Sequence, residues 1–152
     1  MKASIRSSMF ACATVLLAFA GGASAQDRVD LPSPLPFAAT VQRLEARLRE
    51  ADMTVFARLD HQAAAHQAGL TLPPTLVLVY GNPRGGTPLM QQHPELSLDL
   101  PLRVLVREDP QHRVWVSYHP AKAWARRQGL SEEQSRTLGK SEAVIAKAVS
   151  PR

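Results

Sequence analysis

The sequence predicts a single α+β domain behind an export signal. Short segments of period-two apolar alternation are interleaved with segments of helical spacing. Turn-forming residues separate them, and the length suits one core. The expected order is helix, strand, helix, strand, helix, strand, strand, helix, which implies a mixed sheet packed on helices.

The first six residues carry Lys2 and Arg6 and no acid, and an apolar run follows from Met9 to Ala20. Ala23-Ser24-Ala25 then precedes Gln26. A basic start, an apolar stretch and a small-x-small site form the pattern of a cleavable secretory signal over residues 1–25. The expected location is therefore the periplasm. The run falls well short of the roughly 20 residues a span requires, so no stable membrane span is expected after cleavage. Cys12, the one cysteine, leaves with the signal, which removes disulfide, thiol and cysteine-ligand chemistry. Loss of Lys2 and Arg6 takes the formal charge from +5 to +3. The arginines are dispersed, so no nucleic-acid partner is expected.

Residues 26–36 hold three prolines without periodicity and read as a tether. A helix is expected from Phe37 to Ala51, with Val41, Leu44 and Leu48 on one face and a cap at or before Thr40. Met53 to Asp60 reads as a strand with Val55, Ala57 and Leu59 on one side. His61 to Ala68 is a helix stopped by Gly69. Leu76 to Tyr80 is apolar on both faces, as in a central strand. Gly81 to Gly86 is a tight turn, with Thr87 as cap and Pro88 opening a helix to His93. Leu102 to Glu108 and Val114 to Tyr118 form a hairpin about Asp109-Pro110, and Glu108 and Asp109 should face solvent. A helix from Pro120 to Gln128 follows, then a helical tail over 131–152. The expected core is Val41, Leu44, Leu48, Val55, Leu59, Leu76, Leu78, Val104, Val106, Val114 and Val116.

Several blocks of this chain, in order, are similar to one family. They are Val55 to His61, Leu72-Pro73-Pro74-Thr75, Gly81-Asn82-Pro83 with Gly86 to Met90, Leu98 to Arg103, Glu108-Asp109 and Trp115 to Tyr118. Together they resemble the domain of unknown function 302 family over residues 37–130, leaving 131–152 outside. The resemblance implies a curved antiparallel sheet gripping helices, of TATA-binding-protein-like or helix-grip type, and a homodimer; it implies no assigned activity. Arg107 departs from the family pattern, where an apolar residue such as Trp is expected, and this questions any pocket wall built there.

The sharpest polar pair is Asp60-His61. It serves either as an acid–base couple or as a helix cap with its first residue. His61 and His66 are five apart and do not share a helix face, so no metal site is expected. The loop Asn82, Gly85, Gly86, Thr87 is the candidate ligand-binding element, able to cradle an anion if backbone N–H groups point outward; it lacks the residues of a P-loop. Asp99 lies among apolar residues, with Arg103 or Arg58 as possible partners. No cofactor signature or common hydrolase motif is present. The expected function is a periplasmic ligand-binding or interaction module for a small molecule; the alternative is an enzyme using His61 with Asp60 or Asp99. Buried polar groups gather where they find partners, so these three sites are expected to converge.

Overall fold

The computed structural model describes residues 28–151. The expected export signal, residues 1–25, lies outside the described residues. The chain enters as a strand, β1 (Val29–Ser33), followed by α1 (Phe37–Glu50), β2 (Thr54–Asp60) and α2 (His61–Gln67). Next come β3 (Thr75–Gly81), α3 (Pro83–Gln92) and a short 3-10 turn at Pro94–Leu98. The hairpin β4 (Leu102–Glu108) and β5 (Val114–Tyr118) follows, then α4 (Ala121–Arg127) and α5 (Glu132–Val149). The five strands lie in the order β1-β5-β4-β3-β2. Every pairing is antiparallel rather than mixed. Each helical excursion along β2 to β5 returns the chain on the neighbouring strand, while α1 carries it from one edge to the other.

One face of the sheet makes the core. Leu76, Leu78, Val104, Val106, Val114 and Val116 alternate inward and meet Val41, Leu44 and Leu48 of α1. Ile145, Ala148 and Val149 of α5 complete the cluster. The expected tail is thus an integral core helix, begun by a capping box between Ser131 and Gln134. A second cluster joins Leu89, Leu96, Ala121, Ala125, Leu130 and Leu138 under α3 and α4.

Four differences from expectation have local causes. The proline-rich tether contains β1, paired with β5 from Val29 opposite Tyr118 to Ser33 opposite Val114. Its Pro32 is tolerated because edge strands need fewer ladder donors. Thr40 does not cap α1. Its hydroxyl donates to the Leu35 carbonyl at 3.1 Å and meets Ser33 Oγ at 2.7 Å, tying β1 to the helix.

The β2 register shifts between Val55 and Ala57, with Phe56 as the extra residue. Val55 packs on the core, but Ala57 and Leu59 pass to the other side, and Leu59 is 43% exposed. A bulge reverses the side-chain alternation beyond it. Finally, α3 starts at Pro83, with Asn82 as cap, so Thr87 and Pro88 lie inside the helix.

A candidate binding cavity at the end of the central strand

Strand β3 delivers Tyr80 and Gly81 to the sheet's end, and Asn82 turns the chain into α3. Between this corner and the middle of α5 lies a cavity of about 420 Å³. Met53, Phe56, Met90, Leu102, Leu138 and Val144 supply most of its apolar wall. The β2 bulge places Phe56 over this corner, where a Cβ added at Gly81 would meet its ring at 3.7 Å. At the far side α3 packs against α5, where a Cβ added at Gly85 would meet the Thr137 methyl at 3.6 Å.

The wall includes Tyr80, whose phenol donates to Ser141 Oγ at 3.2 Å. Ser141 Oγ donates in turn to the Leu138 carbonyl at 3.2 Å. Burial pushes the Tyr80 phenol up to about 12, so the wall carries a neutral, satisfied hydroxyl pair rather than a charge. Arg84 and Lys140 are exposed cations that also line the cavity. Among the described residues no carboxylate lines it.

A smaller cavity of about 230 Å³ shares Tyr80, Leu102 and Ser141 with the first. It is lined also by Asp99, Arg103, Tyr118, His119 and Glu142. Burial raises the Tyr118 phenol, and Glu142 adds to that effect.

The expected convergence does not occur. Asp60 pairs with Leu76 at one end of β3, whereas Asn82 follows Gly81 at the other. Six strand steps separate those ends, about 20 Å. Asp60 accepts the Ala63 N–H at 2.9 Å and caps α2, while His61 is exposed on a helix with no buried residue. Asp99 lies at the Asn82 end, in the smaller cavity, and accepts from Gln128 at 3.2 Å. An acid–base pair of His61 with Asp99 therefore has no common site.

Of the loop residues, Asn82, Gly85 and Gly86 line the large cavity and Thr87 does not. The backbone N–H groups from Arg84 to Gly86 are already used within the loop. Asn82 takes the Arg84 N–H at 2.8 Å, the Gly85 and Gly86 N–H groups bond the Asn82 carbonyl, and Pro83 has none to give. Those three amides are therefore not free to cradle an anion at this helix start.

Sequence reasoning missed Phe56, Lys140 and Ser141. The spacing of Thr137, Ser141 and Val144 at i, i+4 and i+7 on one helical face was the available signal. Arg107 is not part of either cavity. It stands on the sheet's other face, 5.8 Å from the Trp115 ring and 3.7 Å from Asp30. Among the described residues no group of three or more His, Cys, Asp or Glu is placed to hold a metal. Among them, too, no helix is long and apolar enough to cross a membrane.

The family model described as "Domain of unknown function DUF302" matches residues 29–148. The chain belongs to the DUF302 family. The match takes in β1 and nearly all of α5, so the DUF302 domain is wider than the stretch 37–130. The crystal structure of an uncharacterized conserved DUF302 protein from Bacillus stearothermophilus has the same fold. Its TM-score is 0.71 at 14% identity, covering 82% of this chain and 97% of that one.

The "Fluoride-specific ion channel FluC 1" of Brucella suis biovar 1 (strain 1330) is 41% identical over 112 residues, 74% of this chain and 41% of that protein. "Fluoride-specific ion channel FluC 2" of Brucella melitensis biotype 1 (strain ATCC 23456) is also 41% identical over 112 residues, covering 38% of its length. The DUF302 chain therefore spans about two fifths of the curated relatives it matches.

Proposed function

We propose that this DUF302 chain is an exported, periplasmic ligand-binding module that holds a small, mainly apolar molecule between the end of β3 and α5. The observation that carries the reading is the 420 Å³ cavity, mostly apolar with a few polar groups at its edge. Pockets for small ligands have this size and this balance. We further assign the sheet and helices to the helix-grip or TATA-binding-protein-like type, and the chain to a homodimer. Light scattering tests the latter.

Native mass spectrometry of protein purified from its own cell envelope tests the module. The expected result is a retained small molecule, lost in Gly86→Leu. A Cβ at Gly86 meets nothing closer than the Met90 methyl at 4.0 Å, so that variant fills the cavity without crowding the backbone. Wild-type protein without adduct under gentle conditions, and no ligand from solvent extraction, would overturn the reading.

A second reading is favoured by one observation, the matching stretch within proteins named fluoride-specific ion channels. On that reading the domain works beside a membrane pore. Deleting its gene should then sensitise cells to fluoride; unchanged growth in fluoride removes the idea.

A further inference from the structure

Resting on the module reading, we propose that the ligand is an amphipathic carboxylate, with an alkyl or aryl body in the cavity and its anionic end between Arg84 and Lys140. The charges around the cavity are one-sided. Arg84 comes from the first turn of α3 and Lys140 from the middle of α5, two helices that pack against each other. Among the described residues neither cation belongs to an ion pair with an acid, and the cavity lining holds no Asp or Glu.

The opposite wall carries no charge of its own. Tyr80, Leu102 and Ser141 form a partition, and the smaller cavity behind it mixes the acids Asp99 and Glu142 with Arg103 and Arg127. The partition's own hydroxyls are satisfied by each other and by the Leu138 carbonyl, so they leave no strong donor for a carboxylate. The backbone amides of Arg84, Gly85 and Gly86 are equally spent. The anionic end is therefore held by the two side chains at the rim, and the apolar end points toward Met53 and Val144.

Size narrows the class further. At the ~30 Å³ that a water occupies in the liquid, 420 Å³ holds on the order of a dozen non-hydrogen atoms. A medium-chain fatty acid matches that size.

Calorimetry with decanoate and with decanol, which share a chain and differ in charge, tests the proposal. Wild-type protein should bind decanoate about tenfold or more tightly than decanol, and the difference should shrink in high salt. The double variant R84Q/K140Q should lose that advantage and bind decanol as before, with melting temperature confirming its fold. Equal binding of the two probes by wild type, or full decanoate affinity in R84Q/K140Q, overturns the carboxylate while leaving the cavity in place. Binding of neither probe overturns the carboxylate, and the module reading is judged separately by the retained-ligand experiment above. Lipid headgroups offer a related anion. Sedimentation with phosphatidylglycerol vesicles, without binding of free decanoate, would assign the two cations to a membrane surface and overturn the free ligand.

Discussion

Trp115 donates its indole N–H to Asp109 Oδ2 at 2.9 Å across the β4–β5 turn. The same oxygen accepts Arg113 Nε at 2.8 Å, and Oδ1 accepts the N–H groups of Gln111 at 3.0 Å and Arg113 at 2.9 Å. Arg113 also lies 5.5 Å from the Trp115 ring centre. Asp109, expected to face solvent, is buried as the hub of the turn. Burial works to raise its pKa, but the bonds from Trp115 and Arg113 outweigh it and hold the carboxyl at about 2.

An unfolded Asp titrates near 3.9. Asp109 therefore favours the fold fully above that pH, and its contribution fades as pH falls toward 2. In a Trp124→Phe background, acid titration of Trp115 fluorescence should show a transition close to pH 2. Asp109→Asn should remove that transition and lower the melting temperature at neutral pH more than at pH 2.5. An unchanged fluorescence titration in the Asn variant would show that Asp109 does not report through Trp115.

The β2 bulge separates two residues of similar chemistry. Leu78 is fully buried between the sheet and the helices α1 and α5, whereas Leu59 stands on the sheet's other face. Leu78→Ala should cost about 2–5 kcal/mol. Leu59→Ala should cost under about 1 kcal/mol, as partly exposed sites do. Comparable losses in urea unfolding would contradict the register.

Helix α3 offers a second contrast. Asn82→Ala removes the side-chain acceptor of the Arg84 N–H and should cost about 0.5–2 kcal/mol. Thr87→Ala, in an exposed helical position, should change stability by less than about 0.5 kcal/mol. A larger effect at Thr87 than at Asn82 would place the helix start at Pro88 after all.

These cases show why some of the molecule was legible in the sequence and some was not. Leu76, Leu78, Val104, Val106, Val114 and Val116 read directly, because strict alternation on uninterrupted strands decides which side is buried. Leu59 did not, because one extra residue at Phe56 inverts the alternation beyond it, and nothing in Val55 to Leu59 marks a bulge. Strand β1 was hidden by prolines that an edge strand can carry but a central one cannot. The 131–152 helix was readable as a helix, but its docking depends on contacts distant in sequence, such as Tyr80 with Ser141. The cavity suffers the same limit: Asn82, Gly85 and Gly86 were found, while Phe56 and Lys140 join them only through the tertiary fold.

That Tyr80–Ser141 contact makes alkaline pH a test of the cavity wall. Burial is the main cause that raises Tyr80 to about 12, and Tyr118 is shifted upward too. An unfolded tyrosine ionises near 10. The stability that these neutral phenols contribute is thus complete below pH 10 and is lost as pH rises through the folded values, because the unfolded chain alone gains from ionising. Absorbance titration of the folded protein should show less tyrosinate at pH 10 than free tyrosine gives and, for Tyr80, a midpoint near 12 or an abrupt release on unfolding. Tyr80→Phe removes one of the two titrations, so its melting temperature should fall less between pH 9 and 11 than that of wild type. The phenol donates to Ser141 in a buried setting, so the same variant should be less stable by about 0.5–1.5 kcal/mol at pH 7. A variant with wild-type stability at pH 7 and an unchanged alkaline slope would mean that Tyr80 does not bond Ser141 and that the partition between the two cavities is open.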